Sequence, residues 1–266
     1  MELEILGYIS AILVGLSLGL IGGGGSILTV PILVYLLGVD AANIAPAYSL
    51  FIVGTASLFG AYIKNKDGFV DIKTAIIFGL PAIVSVYLTR RLLVPAIPDE
   101  IFTIDNFIFT KRILVMGLFA VLMILASLSM IKGRKDIEQI QPQKFNYPLI
   151  LIEGLFVGMI TGLVGAGGGF IIIPALVMLS NLSMKKAVGT SLVIIAAKSL
   201  FGFLGDLSVI EIDWKLLLIF TAFAVSGIFI GNKLSHKIDG SKLKKGFGWF
   251  VLIMGTYIFI KEIFLN

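Results

Sequence analysis

Eight windows of this chain are each long and apolar enough to cross a lipid bilayer: Ile5–Ile21, Ala45–Ile63, Ile72–Leu92, Ile113–Ile131, Leu149–Gly165, Ala187–Gly205, Trp214–Ile230 and Phe247–Phe264. The hydrocarbon core is about 30 Å thick and a helix rises about 1.5 Å per residue, so about 20 apolar residues span it. Backbone N–H and C=O groups at that depth must be satisfied within the protein, which selects helices for spans of this length. The expected fold is therefore an all-α, polytopic membrane protein embedded in the lipid bilayer. Composition agrees, with 58% of the 266 residues hydrophobic and 14% charged, far from a soluble domain. The opening "MELEIL" carries acids and no basic segment, so the first window reads as a retained helix. The pI near 9.3 comes from Lys and Arg in short loops, the pattern of cytoplasmic loops and not of a nucleic-acid surface. With no cysteine, thiolate metal sites and disulfides are excluded.

Two shorter apolar runs, Ser26–Leu37 and Phe170–Leu179, each follow a cluster of glycines. The clusters are copies. At an offset of 143, Gly15–Val34 and Gly158–Val177 are identical at nine of twenty positions. At an offset of 142, Ala45–Gly60 matches Ala187–Gly202 at eight of sixteen, including "SLFG" in both, and Asp71 and Lys73 match Asp213 and Lys215. The chain reads as two transmembrane units, residues 1–131 and 147–266, joined by a polar cytoplasmic linker at 132–146. A repeat of this length is a whole helix bundle, far longer than a solenoid unit.

Each unit holds five apolar segments if the short ones cross, and an odd number inverts the second unit relative to the first. Counting ten crossings puts fourteen Lys and Arg on one face and six on the other; counting eight gives nine against eleven. Because basic residues gather on the cytoplasmic side, the ten-crossing count is favoured. The expectation is two inverted repeats of five helical segments, eight full spans plus two short broken helices, with both termini outside the cell membrane. Arg90 and Arg91 fit this topology least well.

In secondary transporters built this way, substrate binds near the midplane between the repeats, where paired short segments are interrupted by Gly or Pro. Irregular backbone at that depth lines a cavity or is buried in protein. Glycine lets N–H groups approach a ligand without a Cβ in the way, and a helix starting after the break turns its positive end toward it. Candidate anion-binding residues are therefore Gly22, Gly23, Gly24, Gly25 and Ser26 in the first unit and Gly165, Gly167, Gly168 and Gly169 in the second. Gly15 with Gly19, and Gly158 with Gly162, have the spacing of helix-packing motifs instead.

Lys198 is the other candidate. It lies twelve residues from Lys186 and eight from Asp206, near mid-bilayer, and its repeat partner is Ala56. A charge there is expensive and is by default functional, attracting an anion or carrying a coupled proton; snorkelling toward Asp206 is the bland alternative. Hydroxyls could complete the site: Ser49 and Ser191, Ser57 and Ser199 are duplicated, and Thr29 and Thr190 share the same elements. Singly, each such hydroxyl usually bonds its own helix. His236, the only histidine, sits in a basic loop and lacks the partners a metal needs. Trp214 and Trp249 fall near segment ends, as interface anchors do.

The stretches "GGGGSILTVPIL", "GAGGGFIIIPAL" and "GTSL…KSLFGF" resemble the sulfite exporter TauE/SafE family, within the toluene-sulfonate uptake permease superfamily. The resemblance covers essentially the whole chain. It implies a transporter of small sulfur-containing anions such as sulfite or sulfonates, needing no cofactor. The insert "PAIPDEIFTIDNF", Pro95–Phe107, has no counterpart in the second unit and is a departure that could bear on gating. An anion channel, or a carrier of another small anion, remains the alternative; a coupling proton or sodium ion and a homodimer are left open. A membrane enzyme is disfavoured, because no HExxH, cysteine or mid-span acid is available as acid, base or nucleophile.

Overall fold

The computed structural model describes residues 2–104, 107–132, 147–180, 182–235 and 240–264. His236 and most of the linker, residues 133–146, lie outside them. The chain runs α1 (Glu2–Ile21), a 3-10 helix (Gly22–Leu28), α2 (Thr29–Tyr35), α3 (Ile44–Lys66) and α4 (Ile72–Leu88). A π turn (Thr89–Leu93) and α5 (Val94–Ala96) lead into β1 (Glu100–Ile104) and β2 (Phe107–Thr110), then α6 (Lys111–Lys132). The second half holds α7 (Tyr147–Val164), α8 (Gly169–Leu179), α9 (Met184–Asp206), α10 (Trp214–Ser235) and α11 (Gly240–Phe264).

All eight long windows lie on helices, except that Gly165 at the end of one falls in the turn after α7. Six helices are both long and apolar enough to span, and Leu6–Ile21, Gly25–Tyr35 and Pro148–Val164 are shorter apolar helices. The all-α expectation needs one correction. The insert turns into an antiparallel hairpin, with Phe102 stacked on Phe109 at a centroid separation of 4.8 Å. Alternating β-branched and aromatic residues in "EIFTI" and "FIFT" favour strands over one more helical turn.

Polarity is arranged inside out. Ile253, Trp249, Leu92 and Phe264 are exposed, while Ser26, Ser49, Ser57, Thr190, Lys198 and Ser199 are fully buried. Lipid is as apolar as leucine, so close packing replaces the hydrophobic effect between helices, and small residues mark the contacts. A Cβ on Gly15 or Gly19 would run into the α10 backbone around Ala224–Asn232, and one on Gly158 or Gly162 would meet α4 between Ala82 and Thr89. The packing reading of these four glycines holds. α10 answers α1 with its own pair, Gly227 and Gly231, which face the Ile12–Leu16 backbone.

Register gives direction. Gly54 packs on Leu200, Gly60 on Leu192 and Gly202 on Leu50, so α3 and α9 are antiparallel. Gly248 meets Met130 and Ile131 while Gly255 meets Met123, so α6 and α11 are antiparallel too. By the same reading α1 runs with α10, and both α7 and α9 run with α4. The Asp213 N–H at the start of α10 donates to Tyr48 and Gly60 faces Ile228 further along, so α3 also runs with α10; α1 and α3 therefore point the same way, and so do α7 and α9. The 3-10 segment with α2, and separately α8, thus lie between two helices that point the same way.

The duplicated aspartates cap matching helices. Asp71 accepts the Thr74 N–H at 2.7 Å at the start of α4, and Asp213 accepts the Leu216 N–H at 3.1 Å at the start of α10. Such caps satisfy N–H groups that a helix start leaves without partners. Their own N–H groups donate to Thr190 Oγ1 and Tyr48 Oη, which are equivalent positions in the two halves. Thr190 is thus committed to the scaffold.

Candidate functional site

The register of α3 against α9 puts their crossing near Thr55 and Ala197, one residue from Lys198. Lys198 is fully buried. Its ammonium donates to Thr161 Oγ1 at 2.6 Å, and the Thr161 hydroxyl donates onward to the Val157 carbonyl at 2.7 Å. Snorkelling to the Asp206 end does not occur, because the side chain turns toward α7 and the second glycine break. A Cβ on Gly168 would sit 3.2 Å from Lys198 Nζ, so only glycine brings the backbone this close without crowding the ammonium. Among the described residues, the ion pairs Arg90–Asp206 and Arg112–Glu262 both leave Lys198 aside.

The second break is an open turn. Gly165 and Gly168 both adopt left-handed φ, 73° and 72°, which L side chains rarely take. Gly168 is the N-cap of α8, and its carbonyl accepts the N–H groups of Ile171 and Ile172. Ahead of them, the N–H groups of Gly169 and Phe170 are the ones a helix start leaves without intrahelical partners.

The first break differs from expectation. Gly22, Gly23, Gly24 and Gly25 wind directly from α1 into the 3-10 helix, and the Thr29 N–H donates back to the Ser26 carbonyl. No separate helix start faces a gap here, because i→i+3 bonds absorb the groups an open break would expose. α2, at seven residues, is a continuation of this winding. The predicted pair of facing helix N-termini is thus reduced to α8 alone.

The two breaks still meet. A Cβ on Gly167 would lie 3.0 Å from Ser26 Cβ and 3.1 Å from Ile195, so Ser26, Gly167, Gly168 and Lys198 gather at the crossing. The hydroxyls of Thr29, Ser57 and Ser199 are buried with no hydrogen-bond partner among the described residues. Ser199 adjoins Lys198, and Ser57 adjoins its counterpart Ala56. Ser49 lies eight residues from Ser57, about 12 Å along the helix toward the Asp206 end, and is also unpartnered. Ser191 lies toward the opposite end and donates to the Val188 carbonyl of its own helix. The sequence reading missed Thr161, a threonine in an apolar run whose counterpart is Leu18.

It also missed the polar ends of the bundle. Arg90, counted among the basic residues of one face and the poorest fit to that count, is 1% exposed. It pairs with Asp206 at 2.7 Å and donates to the carbonyls of Asn43 and Gly162 at 3.0 and 3.3 Å. Its poor fit to the charge count is explained, since it is a buried structural cation and not a loop charge. Glu262, fully buried, accepts from Arg112 at 2.9 Å and from Tyr35 Oη at 2.7 Å, tying α11 to α6 and α2. An apolar crevice of about 590 Å³ between α6, α7 and α8 is lined by Leu122, Phe156, Phe170 and the carboxylate of Glu153. It opens sideways and does not include Lys198. Among the described residues, no cluster of three or more His, Cys, Asp or Glu could hold a metal.

The comparisons with known proteins fit this picture. The model of the sulfite exporter TauE/SafE family matches residues 8–258. A probable membrane transporter protein of Xylella fastidiosa is 28% identical over 254 residues, covering 92% of this chain and 91% of its own. The probable membrane transporter protein YdhB of Bacillus subtilis is 26% identical over 234 residues, 87% and 90% of the two chains. A Haemophilus influenzae protein with the same description is 26% identical over 270 residues, 94% and 95%. No solved structure matches.

Proposed function

Because the chain belongs to the sulfite exporter TauE/SafE family of membrane transporters, we propose that it is a secondary carrier of small sulfur-containing anions, sulfite or sulfonates, working by alternating access. Its two halves, residues 1–131 and 147–266, act as inverted repeats that rock around a central site. The antiparallel pairing of equivalent helices, α3 with α9 and α6 with α11, supports the inversion. The parallel course of α1 and α3 supports five crossings per half.

One observation carries the reading: a fully buried lysine at the crossing of the halves, against a glycine turn and a helix start. An oxyanion entering there would accept from Lys198 Nζ, from the first N–H groups of α8 and from the hydroxyls of Ser57 and Ser199. Charge-assisted bonds of this kind are roughly twice as strong as neutral ones, which favours a small, charged, oxygen-rich ligand. Full burial of Lys198, Ser57 and Ser199 favours a carrier over a channel, since a channel needs a path open at both ends.

The test is radiolabelled sulfite flux in proteoliposomes, competed with sulfate, thiosulfate and small sulfonates. Saturable flux that selects among sulfur oxyanions is expected. Absence of flux for every anion offered would overturn the substrate assignment.

A further inference from the structure

We propose that Arg90 and Asp206 form the latch that closes one end of the transport pathway, and that the equivalent positions at the other end, Asn232 and Lys64, do not repeat this ion pair. The inference rests on the alternating-access reading, but its readout needs no transport.

Three observations converge. The pair is buried, with side chains 0% and 2% exposed, and Arg90 uses its remaining donors on α7 and on the residue before α3. One guanidinium thereby holds four segments together: the π turn after α4, the C-terminus of α9, the Gly162 turn of α7, and Asn43. Two of these segments come from each half. Asn43 also lines an open depression of about 640 Å³ whose walls include Asp40, Asp99, Lys111 and Glu211. The latch therefore sits on the inner side of that vestibule, and Asp206 is eight residues, about 12 Å of helix, from Lys198. The vestibule wall includes Pro95, Ile97 and Pro98 of the insert that only the first half carries.

The opposite end shows what an unlatched closure looks like. The repeat counterparts of Arg90 and Asp206 are Asn232 and Lys64. Gly60 faces Ile228 across α3 and α10, and Lys64 and Asn232 each lie one turn further along their own helices. Here Asn232 Oδ1 is buried without a hydrogen-bond partner among the described residues. Equivalent positions thus carry an ion pair at one end and an amide and a lysine at the other.

A buried ion pair suits a latch. Its desolvation roughly offsets its attraction, so water entering an opening end can replace the bond without a large net cost. Removing one partner while the end stays closed leaves an uncompensated charge, which drives that end open. With the pair made, as in this structure, the Asp206 end is closed, and loss of either partner shifts that end toward open.

The chain has no cysteine, so a single introduced thiol reports alone. Ser49 lies between the latch and Lys198, and Ser191 is its counterpart toward the Lys64 end; both are fully buried. A membrane-impermeant maleimide is applied to Ser49→Cys and Ser191→Cys separately, in right-side-out and inside-out vesicles. Ser191→Cys is expected to label faster than Ser49→Cys, each from its own side. Adding Arg90→Gln is expected to speed Ser49→Cys labelling about tenfold, the change that about 1.4 kcal/mol produces. Unchanged labelling in a correctly folded Arg90→Gln protein would overturn the latch. Should that variant fail to fold, Asn232→Asp decides: at the same end as Lys64, the new carboxylate strengthens the opposite closure and is expected to speed Ser49→Cys labelling, and no change overturns the proposal. Labelling that responds in a protein carrying none of the tested anions would sustain the latch while removing the substrate reading.

Discussion

Gly22 and Gly165 stand 143 residues apart at equivalent positions, and their φ angles are 74° and 73°. Each faces the equivalent residue of the other half, Val188 for Gly22 and Pro46 for Gly165. Beyond them the two breaks diverge. The first winds into a 3-10 helix; the second opens into a turn capped by Gly168, where α8 begins. The same divergence holds in the side chains around them: Leu18 and Ala56 occupy the places of Thr161 and Lys198. Duplication supplied one backbone twice, and substitution placed the charge at one copy only. On the proposed reading, the matched scaffold would serve two access routes and the unmatched lining a single anion site between them.

The sharpest way to break this comparison is to add the same methyl to both breaks. Gly165→Ala meets Pro46 backbone as well as a left-handed φ. The conformational cost of about 1–2 kcal/mol adds there to overpacking of about 1–3 kcal/mol. Gly22→Ala carries the same φ but meets only the Val188 side chain, which can turn away. Melting in detergent should therefore fall much further for Gly165→Ala; equal losses would show that the breaks are mechanically alike.

Next in size is the lining. Thr161→Leu removes the acceptor of Lys198 and should destabilise the protein by about 1–3 kcal/mol, the cost of a buried donor left alone. The double change Thr161→Leu with Lys198→Ala copies the first half's pair. It should recover much of that stability while sulfite flux stays lost. Retained flux in the double variant would detach the charge from the site.

The smallest effect calibrates the largest. Gly38 has a φ of 66° and nothing within 4 Å of an added Cβ. Gly38→Ala should cost only the backbone term of about 1–2 kcal/mol and leave flux unchanged, so any excess in Gly165→Ala measures the collision with Pro46.

Much of the architecture was legible before any coordinates. Hydrophobic length alone located the long helices, because bilayer thickness admits few alternatives. The glycine duplication marked both breaks, and Lys198 stood out because a mid-membrane charge is rarely idle. What escaped were pairings across the bundle. Arg90 stood out only as a misfit at the end of an apolar window, because its partner, Asp206, lies 116 positions away. Thr161 was one hydroxyl among many until its contact with Lys198 was visible. The winding of Gly22–Gly25 could not be read from composition, since four glycines permit an open turn and a 3-10 helix alike.

The central claim is that Lys198 holds the anion, and calorimetric titration of sulfite into the purified protein tests it without depending on flux. Saturable binding is expected for the unaltered chain. Lys198→Ala should weaken it about 10- to 150-fold, the range of a hydrogen bond to a charged group. Equal affinity in the two proteins would contradict the account and return the lysine to a purely structural role.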